Sequence, residues 1–266
     1  MYKNRFVSLF YHCPESMGCS LLSYGKAFFK PDTIPAENAK KEGRHVLLEH
    51  EAKQLIKLHG APTSIGQVAK NQEDAWAIAD KIIGNGDPKE KVVLKIVSPD
   101  ILHKSDAGGV KLNLSSESEI KTGFQQIIES ARVYNPDADI RGVLVAPMAR
   151  KGLEIIIGTK IDDLFGPVIM YGLGGIMVEI MKDVTFWVLP VSPTSCKRML
   201  EDTRSSVLLD GVRGQKGYDK PALRKLISMC SELIESYPEI EEMDLNPVLL
   251  YEAGLDVVDA RIILKK

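Results

Sequence analysis

Carboxylate and amide side chains converge near the end of the chain. In the segment 241–248, Asp244 and Asn246 fall on one face of an alternating strand. The segment that follows predicts a hairpin partner strand, which would bring Asp259 beside them. Asp259 stands among apolar residues, where an uncompensated charge is costly. Such oxygens suit Mg²⁺, which takes few protein ligands plus phosphate oxygens. The plain alternative is that Asp244 and Asn246 form the solvated side of a half-exposed strand.

A lysine within an apolar strand precedes a loop that contains two adjacent glycines. Lys95 lies in the predicted strand 91–97, and Gly108 and Gly109 follow in the loop. Adjacent glycines let backbone N–H groups approach a phosphate closely. The pattern predicts Lys95 as a phosphate clamp and Gly108-Gly109 as part of a cradle. The alternative is an edge strand from which Lys95 reaches solvent.

The same loop carries His103. A neutral imidazole has a lone pair available near neutral pH and can act as a nucleophile. His103 is the one histidine of the chain near a phosphate-type loop, which makes it the candidate nucleophile for a phosphoryl group. A surface loop histidine is the alternative.

A second glycine-containing segment runs from 171 to 180. Gly172, Gly174 and Gly175 follow a predicted strand and could form a phosphate loop, with Glu179 facing a metal or a base. The spacing does not fit a dinucleotide fingerprint, because the third glycine comes too early. A tight turn that needs positive φ is the alternative.

Composition narrows the class of protein. The 266 residues carry 34 Lys+Arg against 36 Asp+Glu, with 44% apolar and 26% charged residues, which excludes disorder over the whole length and polyanion binding by bulk charge. No apolar run approaches the roughly 20 residues needed to cross a bilayer. The four cysteines have no metal-site spacing, so we expect neither a disulfide framework nor a zinc site. A cytoplasmic protein is expected.

Hydrophobic periodicity predicts a mixed α+β fold. Residues 1–45 show no sustained apolar period and are interpreted as an extension that is partly ordered at most. Residues 46–142 would form a first subdomain with the His103 loop, and residues 143–266 a second with the metal and nucleotide site. We predict helices over 50–59, 71–84, from Ser116 onward, 194–202 and 220–235. We predict strands over 91–97, 110–114, 143–148, 153–159, 167–171, 184–191, 243–251 and 255–264. Phosphate and metal elements this far apart indicate a nucleotide cleft between subdomains.

Three long motifs, in order, carry a resemblance to a known family. They are Val93–Val110, Gly166–Gly175, and Asp244–Val248 with Val258–Arg261. They closely resemble the β subunit of ADP-forming (NDP-forming) acyl-CoA or acetyl-CoA synthetases, ATP-grasp proteins related to the succinyl-CoA synthetase β chain. The resemblance covers about residues 46–266 and leaves 1–45 out.

The resemblance implies an ATP-grasp fold whose two subdomains enclose ATP or ADP with Mg²⁺. It implies the reversible reaction acyl-CoA + ADP + phosphate ⇌ carboxylate + ATP + CoA through a phosphohistidine relay. Nothing in the chain resembles a CoA-binding domain. The family therefore implies a separate α subunit, in an α₂β₂ assembly or a fused chain, and neither a nucleic acid nor a membrane partner.

The resemblance also implies roles for single residues. His103 matches the β-side histidine of the relay, and Asp244 an acidic residue near the incoming phosphohistidine. Asn246 and Asp259 match the Mg²⁺ ligands. Matches to nucleotide-binding positions are Lys95, Gly108, Gly109, Ala146, Met148, Glu154, Gly174 and Gly175.

One segment departs from the family pattern. Ala146-Pro147-Met148 stands where relatives usually read Gln-Glu-Met, at the segment that hydrogen-bonds adenine. Two polar side chains and, at Pro147, one backbone donor are absent, which bears on ATP-versus-GTP preference. Two other functions stay open: a nucleotide-binding regulatory module without turnover, and another ATP-grasp carboxylate ligase. Retention of Lys95, His103, Asn246 and Asp259 together favours the synthetase.

Overall fold

Helices and strands alternate irregularly along the chain. The computed structural model describes residues 35–84, 90–175, 182–211, 214 and 216–266, which all belong to one compact unit. The helices of this part are α1 (Pro35–Lys41), α2 (Glu49–Leu58), α3 (Gln72–Ile83), α4 (Glu117–Tyr134), α5 (Pro193–Glu201), α6 (Ser206–Leu209) and α7 (Lys220–Ser236). The strands are β1 (Val46–Leu47), β2 (Gln67–Ala69), β3 (Val92–Val97), β4 (Val110–Leu114), β5 (Gly142–Pro147), β6 (Leu153–Asp162), β7 (Gly166–Leu173), β8 (Val184–Val188), β9 (Ile240–Leu250), β10 (Leu255–Val257) and β11 (Ala260–Leu264).

Side-chain caps fix where helices α3 and α4 begin. The Asn71 side chain accepts a hydrogen bond of 2.8 Å from the backbone N–H of Asp74, so α3 begins directly after it. Ser116 and Glu119 form a capping box at the start of α4. Both predicted helix starts are confirmed.

The described strands form two antiparallel sheets. The larger has the order β1-β11-β9-β6-β7-β8, with β10 also paired to β9. The smaller has the order β2-β5-β3-β4. The larger sheet buries one face against α2, α5 and α7, and the smaller packs against α3 and α4. Two sheets with helices of their own confirm the mixed α+β fold.

The last predicted strand, 255–264, is wrong in one respect that matters for the site. It is broken into β10 and β11, with Val258 and Asp259 between them. At the break, the backbone N–H of Val258 donates to the carbonyl of Pro247 at 3.0 Å. Asp259 therefore lies in an irregular step between two strands that pair one after the other along the same side of β9.

The beginning of the described chain is folded. Helix α1 buries Pro35, Ala36 and Ala39, within the stretch that lacked apolar periodicity. The Arg44 guanidinium is buried and donates to both carboxylate oxygens of Glu51 in α2, at 2.7 and 2.8 Å. The last residues of the expected extension are thus part of the fold, while residues 1–34 lie outside the described part.

The predicted boundary between subdomains, after residue 142, stays a prediction. Strand β5 belongs to the smaller sheet up to Pro147, whereas β1 belongs to the larger sheet through its pairing with β11. The smaller sheet is therefore an insertion in sequence between β1 and β6 of the larger one. In the described part of the chain no helix is long and apolar enough to cross a membrane.

Candidate active site

A cavity of about 270 Å³ brings together four of the predicted site residues. His103 lies on one side of it, and Asp244, Asn246 and Asp259 lie on the other. The remaining lining residues are Leu102, Lys104, Ser105, Asp106, Val110 and Arg261. Residues that are 141 to 156 positions apart in sequence thus share one site, as a nucleotide cleft requires.

Strand alternation places Asp244 and Asn246 at the cavity. Their neighbours Met243 and Leu245 point into the core and are fully buried, so positions 244 and 246 face the opposite side. Asp244 stands opposite Arg261 of β11 in the antiparallel register. The predicted shared face of Asp244 and Asn246 is confirmed.

The His103 loop, residues 98–109 between β3 and β4, is held by its own backbone. The N–H groups of Ala107, Gly108 and Gly109 donate to the carbonyls of His103, Ser105 and Lys104, at 3.3, 3.1 and 2.8 Å. A Cβ at position 109 would lie 2.5 Å from Cγ2 of Ile96. Close packing against Ile96 of β3 therefore explains Gly109, and Gly108 has φ +62°, a conformation that favours glycine; the part of this pair in a phosphate cradle stays a prediction.

Five charged side chains form a lysine–carboxylate cluster beside the cavity, consisting of Glu49, Lys53, Lys95, Lys104 and Asp259. The Lys95 ammonium lies 2.7 Å from Oε1 of Glu49 and 3.8 Å from Oδ2 of Asp259. The Lys104 ammonium lies 2.7 Å from Oε2 of Glu49 and 2.8 Å from Oδ1 of Asp259. Lys53, one turn along α2, lies 3.4 Å from Glu49. The cluster joins α2, β3, the His103 loop and the step between β10 and β11.

Opposite charges outweigh burial for two members of this cluster, Glu49 and Lys104. Burial raises the pKa of the Glu49 carboxyl, but Lys95, Lys104 and Lys53 outweigh it and hold that pKa well below its usual range. Burial lowers the pKa of Lys104, but the carboxylates of Glu49 and Asp259 raise it above its usual range. For Lys53, burial outweighs Glu49 and the pKa is lowered. Lys95 is buried and held by Glu49 and the Val258 carbonyl, which contradicts the alternative of a lysine that reaches solvent.

The cavity wall formed by β9 and β11 is less completely paired. Burial raises the pKa of Asp244. The neighbouring carboxylates of Asp259 and Glu242 also raise it, whereas Arg261 lowers it. Arg261 donates to Glu242 at 2.7 Å and lies 3.7 Å from Asp244. Its Nε is buried with no hydrogen-bond partner in the described structure. A buried donor left open in this way is expected where a ligand completes the site.

The other predicted nucleotide-binding residues do not line this cavity. Gly174 donates its N–H to the carbonyl of Glu154 at 2.8 Å, and Gly175 has φ +65° directly over the Glu154 carboxylate. Ala146 is buried in the smaller sheet, and the N–H of Met148 donates to the Lys91 carbonyl at 2.7 Å. Their contact with a nucleotide stays a prediction. Glu179 lies outside the described residues.

The oxygen ligands at the cavity fit a hard divalent cation. Asp259 and Asn246, with Asp244 close by, offer carboxylate and amide oxygens, which are the donors that Mg²⁺ prefers. Among the described residues no group of three or more His, Cys, Asp or Glu side chains is arranged to hold a metal. Two protein ligands suit a cation whose other ligands are nucleotide oxygens and water.

Sequence reasoning missed Glu49 and Lys53, and it assigned no role to Lys104 and Arg261, which lie within the family motifs 93–110 and 258–261. The sequence does contain a signal for Glu49 and Lys53. Glu49 and Lys53 are four residues apart and share the helix face of Ala52 and Ile56, which is the buried one. A Glu–Lys pair on the apolar face of a helix indicates buried charges that need further partners.

The cavity is thus lined by the His103 loop of the smaller sheet and by β9 and β11 of the larger one, with a lysine and metal-type oxygens among its residues, which suits a nucleotide-binding protein. The profile described as ATP-grasp domain matches residues 38–264. The predicted ATP-grasp fold is confirmed.

Relatives with known names refine this class. The chain is 45% identical over 228 residues to the acetate–CoA ligase [ADP-forming] I subunit beta of Pyrococcus furiosus, covering 86% of this chain and 95% of that protein. It is also 45% identical to the 4-hydroxybutyrate–CoA ligase [ADP-forming] of Nitrosopumilus maritimus, over 85% of this chain. The match spans only 32% of that longer protein.

Similar solved structures support the same family. A dinucleotide-forming acetyl-coenzyme A synthetase 1 of Ca. Korarchaeum cryptofilum, in complex with coenzyme A, Ca-AMPCP and HgCl⁺, has a TM-score of 0.80 and 43% identity, covering 86% of this chain and 98% of that chain. Another structure of that protein contains Mg-AMPPCP and a phosphohistidine segment pointing towards the nucleotide site, with a TM-score of 0.71 and 40% identity, covering 87% of this chain and 98% of that chain. The chain belongs to the family of ADP-forming acetate–CoA ligase β subunits.

Proposed function

We propose that this chain is the nucleotide-binding β subunit of an ADP-forming acyl-CoA ligase and transfers a phosphoryl group between a partner's phosphohistidine and ADP. The observation that carries the proposal is the single cavity shared by His103, Asp244, Asn246 and Asp259. A nucleophile, an acidic side chain and cation ligands thus face one space. The relatives and structures with matching names support the same reaction.

His103 is the proposed relay residue. An imidazole nitrogen attacks phosphorus, the N–P bond forms, and the bond from phosphorus to the donor nitrogen or oxygen breaks. In the second step an ADP β-phosphate oxygen attacks, the N–P bond of His103 breaks and ATP leaves. The Ala107 N–H donates to the His103 carbonyl, which fixes the backbone from which the attacking ring extends.

Charge neutralisation is the main contribution of the remaining residues. The lysine–carboxylate cluster carries three ammonium groups against two carboxylates, which leaves one positive charge in excess beside the cavity. That excess favours a phosphate there. Asn246 and Asp259 would hold Mg²⁺, which neutralises charge on the phosphate oxygens when bound. Asp244, near His103, would orient an incoming imidazole by accepting its N–H.

The partner is proposed to be an α subunit that binds CoA and forms the acyl phosphate, in an α₂β₂ assembly in the cytoplasm. The chain matches almost the whole length of a β subunit but only a third of a longer ligase. The longer relative is consistent with fusion of the two functions into one chain. The activity of the whole enzyme, and the acid it uses, belong to this proposal.

A phosphoryl-transfer assay tests the proposal. The chain is mixed with its candidate α partner, γ-labelled ATP and Mg²⁺, and each chain is examined for acid-labile, base-stable label. We expect label on both chains, with the label on this chain lost in His103→Ala. The matched control is His45→Ala, which removes an exposed histidine outside the cavity and should keep the label.

The outcomes separate the alternatives. Label on the α chain alone would keep the ligase and reduce His103 to a loop residue. No label on either chain, with nucleotide still bound, would contradict the ligase and leave the regulatory nucleotide-binding module. Such a result would make the departure from the family pattern at Ala146-Pro147 the first feature to test.

A further inference from the structure

We propose that Lys104 acts as an internal cation that holds the metal-ligand carboxylate of Asp259 and exchanges with the divalent cation. This makes Lys104 a positioning residue that links metal binding to the loop of His103. The inference rests on the proposed metal site and goes beyond it, because it says what the carboxylate does before the metal arrives.

The contacts of Lys104 are those of a cation in a carboxylate cage. Its ammonium donates to Oδ1 and Oδ2 of Asp259 at 2.8 and 2.9 Å, and to Oε2 of Glu49 at 2.7 Å. All three of its N–H donors are therefore used, and both oxygens of Asp259 are occupied. Each Asp259 oxygen keeps a second lone pair, but a divalent cation bound there would lie close to the Lys104 ammonium, and this repulsion favours displacement of Lys104.

The charge balance makes the exchange depend on the nucleotide. The lysine–carboxylate cluster already has one excess positive charge, so a divalent cation alone would raise it to three. Like charges this close oppose binding strongly in a partly buried site. The anionic phosphates that accompany the metal remove this opposition. We therefore infer weak metal binding to the free chain and strong binding with nucleotide.

Lys104 also connects the exchange to the relay histidine. It is the residue next to His103, and its carbonyl accepts the Gly109 N–H at 2.8 Å, which closes the loop. Glu49 is buried and stays bound to Lys95, so it remains as an anchor when Asp259 turns to the metal. Lys104 then keeps Glu49 and has two N–H donors free for a phosphate. Metal binding would thus release one tether of the loop while Glu49 keeps the other.

Metal affinity measures the exchange directly. Mn²⁺ binding to the full chain without nucleotide is followed by electron paramagnetic resonance in the wild type, Lys104→Gln, Lys104→Arg and Lys57→Gln. Lys57 is an exposed lysine on α2, so its variant removes the same charge outside the site. We expect Lys104→Gln to bind Mn²⁺ about tenfold more tightly, and the other two to resemble the wild type.

Hydrogen exchange of the loop amides provides a second measurement, and its first comparison uses the wild type alone. Saturating Mn²⁺ with a non-hydrolysable ATP analogue should change exchange at residues 103–109 in the wild type, whereas nucleotide without metal should not. Lys104→Gln should lack this metal-dependent change. Unchanged or weaker Mn²⁺ binding by Lys104→Gln, or the same exchange response as the wild type, would overturn the proposal. No Mn²⁺ binding by any form even with nucleotide would overturn the metal site itself, and with it the proposed function.

Discussion

Two neighbouring regions of this molecule differ in how completely their charged groups are paired. In the lysine–carboxylate cluster, each ammonium lies within 3.4 Å of a carboxylate oxygen, and the pKa of Glu49 is held well below its usual range. On the wall of the cavity, burial raises the pKa of Asp244, and the Nε of Arg261 has no hydrogen-bond partner among the described residues. The boundary between the two regions runs through Asp259.

The difference separates charges that hold the fold from charges that await a ligand. A buried ion is tolerated only when opposite charges and hydrogen bonds surround it, as they do around Glu49. A carboxyl with a raised pKa and an open donor are common at functional sites instead. Removing one charged group from the cluster should therefore reduce stability. Removing one from the cavity wall should reduce activity.

The largest stability effect should come from Glu49→Gln. Glutamine cannot neutralise Lys95, Lys104 and Lys53, so three ammonium groups would share Asp259 alone. We expect the free energy of unfolding to fall by about 3–5 kcal/mol, measured by urea denaturation. Glu235→Gln, which changes an exposed carboxylate on α7, should stay within about 0.5 kcal/mol. Equal effects for both variants would contradict the stabilising role of the lysine–carboxylate cluster.

The stability difference between the wild type and Glu49→Gln should also depend on pH. The pKa of Glu49 is lowered from 4.5 in the folded chain, so its ionised form adds stability above that pH. As the pH falls below about 4.5, the unfolded wild type takes up a proton that the folded wild type excludes. The difference in unfolding free energy should thus shrink with falling pH, in urea titrations between pH 6 and the acid limit. A constant difference would show that Glu49 is not held ionised.

A smaller loss is expected for Gly109→Ala in the His103 loop. The added Cβ would lie 2.5 Å from Cγ2 of Ile96 and 3.0 Å from the Lys104 carbonyl, so the loop or the strand must shift. We expect a loss of about 1–3 kcal/mol in thermal or urea unfolding. Gly158→Ala is the control, because its Cβ would meet Met170 at an ordinary 3.5 Å. Its effect should lie within about 0.5 kcal/mol.

The sequence predicted local features of the cavity wall better than the cluster. Alternation in β9 was enough to place Asp244 and Asn246 on one face, because a strand repeats every two residues. The step at Val258-Asp259 was not predictable from an apolar run that reads as one continuous strand. Two partners of Glu49, Lys95 and Lys104, lie 46 and 55 positions away in sequence, and no local pattern states which long-range contacts a buried charge will make.

The smallest stability effect, and the sharpest contrast, should come from Asp244→Asn. In the folded chain burial disfavours the charged carboxylate, so an amide of the same shape removes that cost and loses only a 3.7 Å contact with Arg261. We expect the free energy of unfolding to change by less than about 0.5 kcal/mol. In the complex with the α chain, the same variant should slow transfer of label to His103 by at least about tenfold, because an accepting anion is lost. A large loss of stability without a loss of transfer would place Asp244 with the charges that hold the fold.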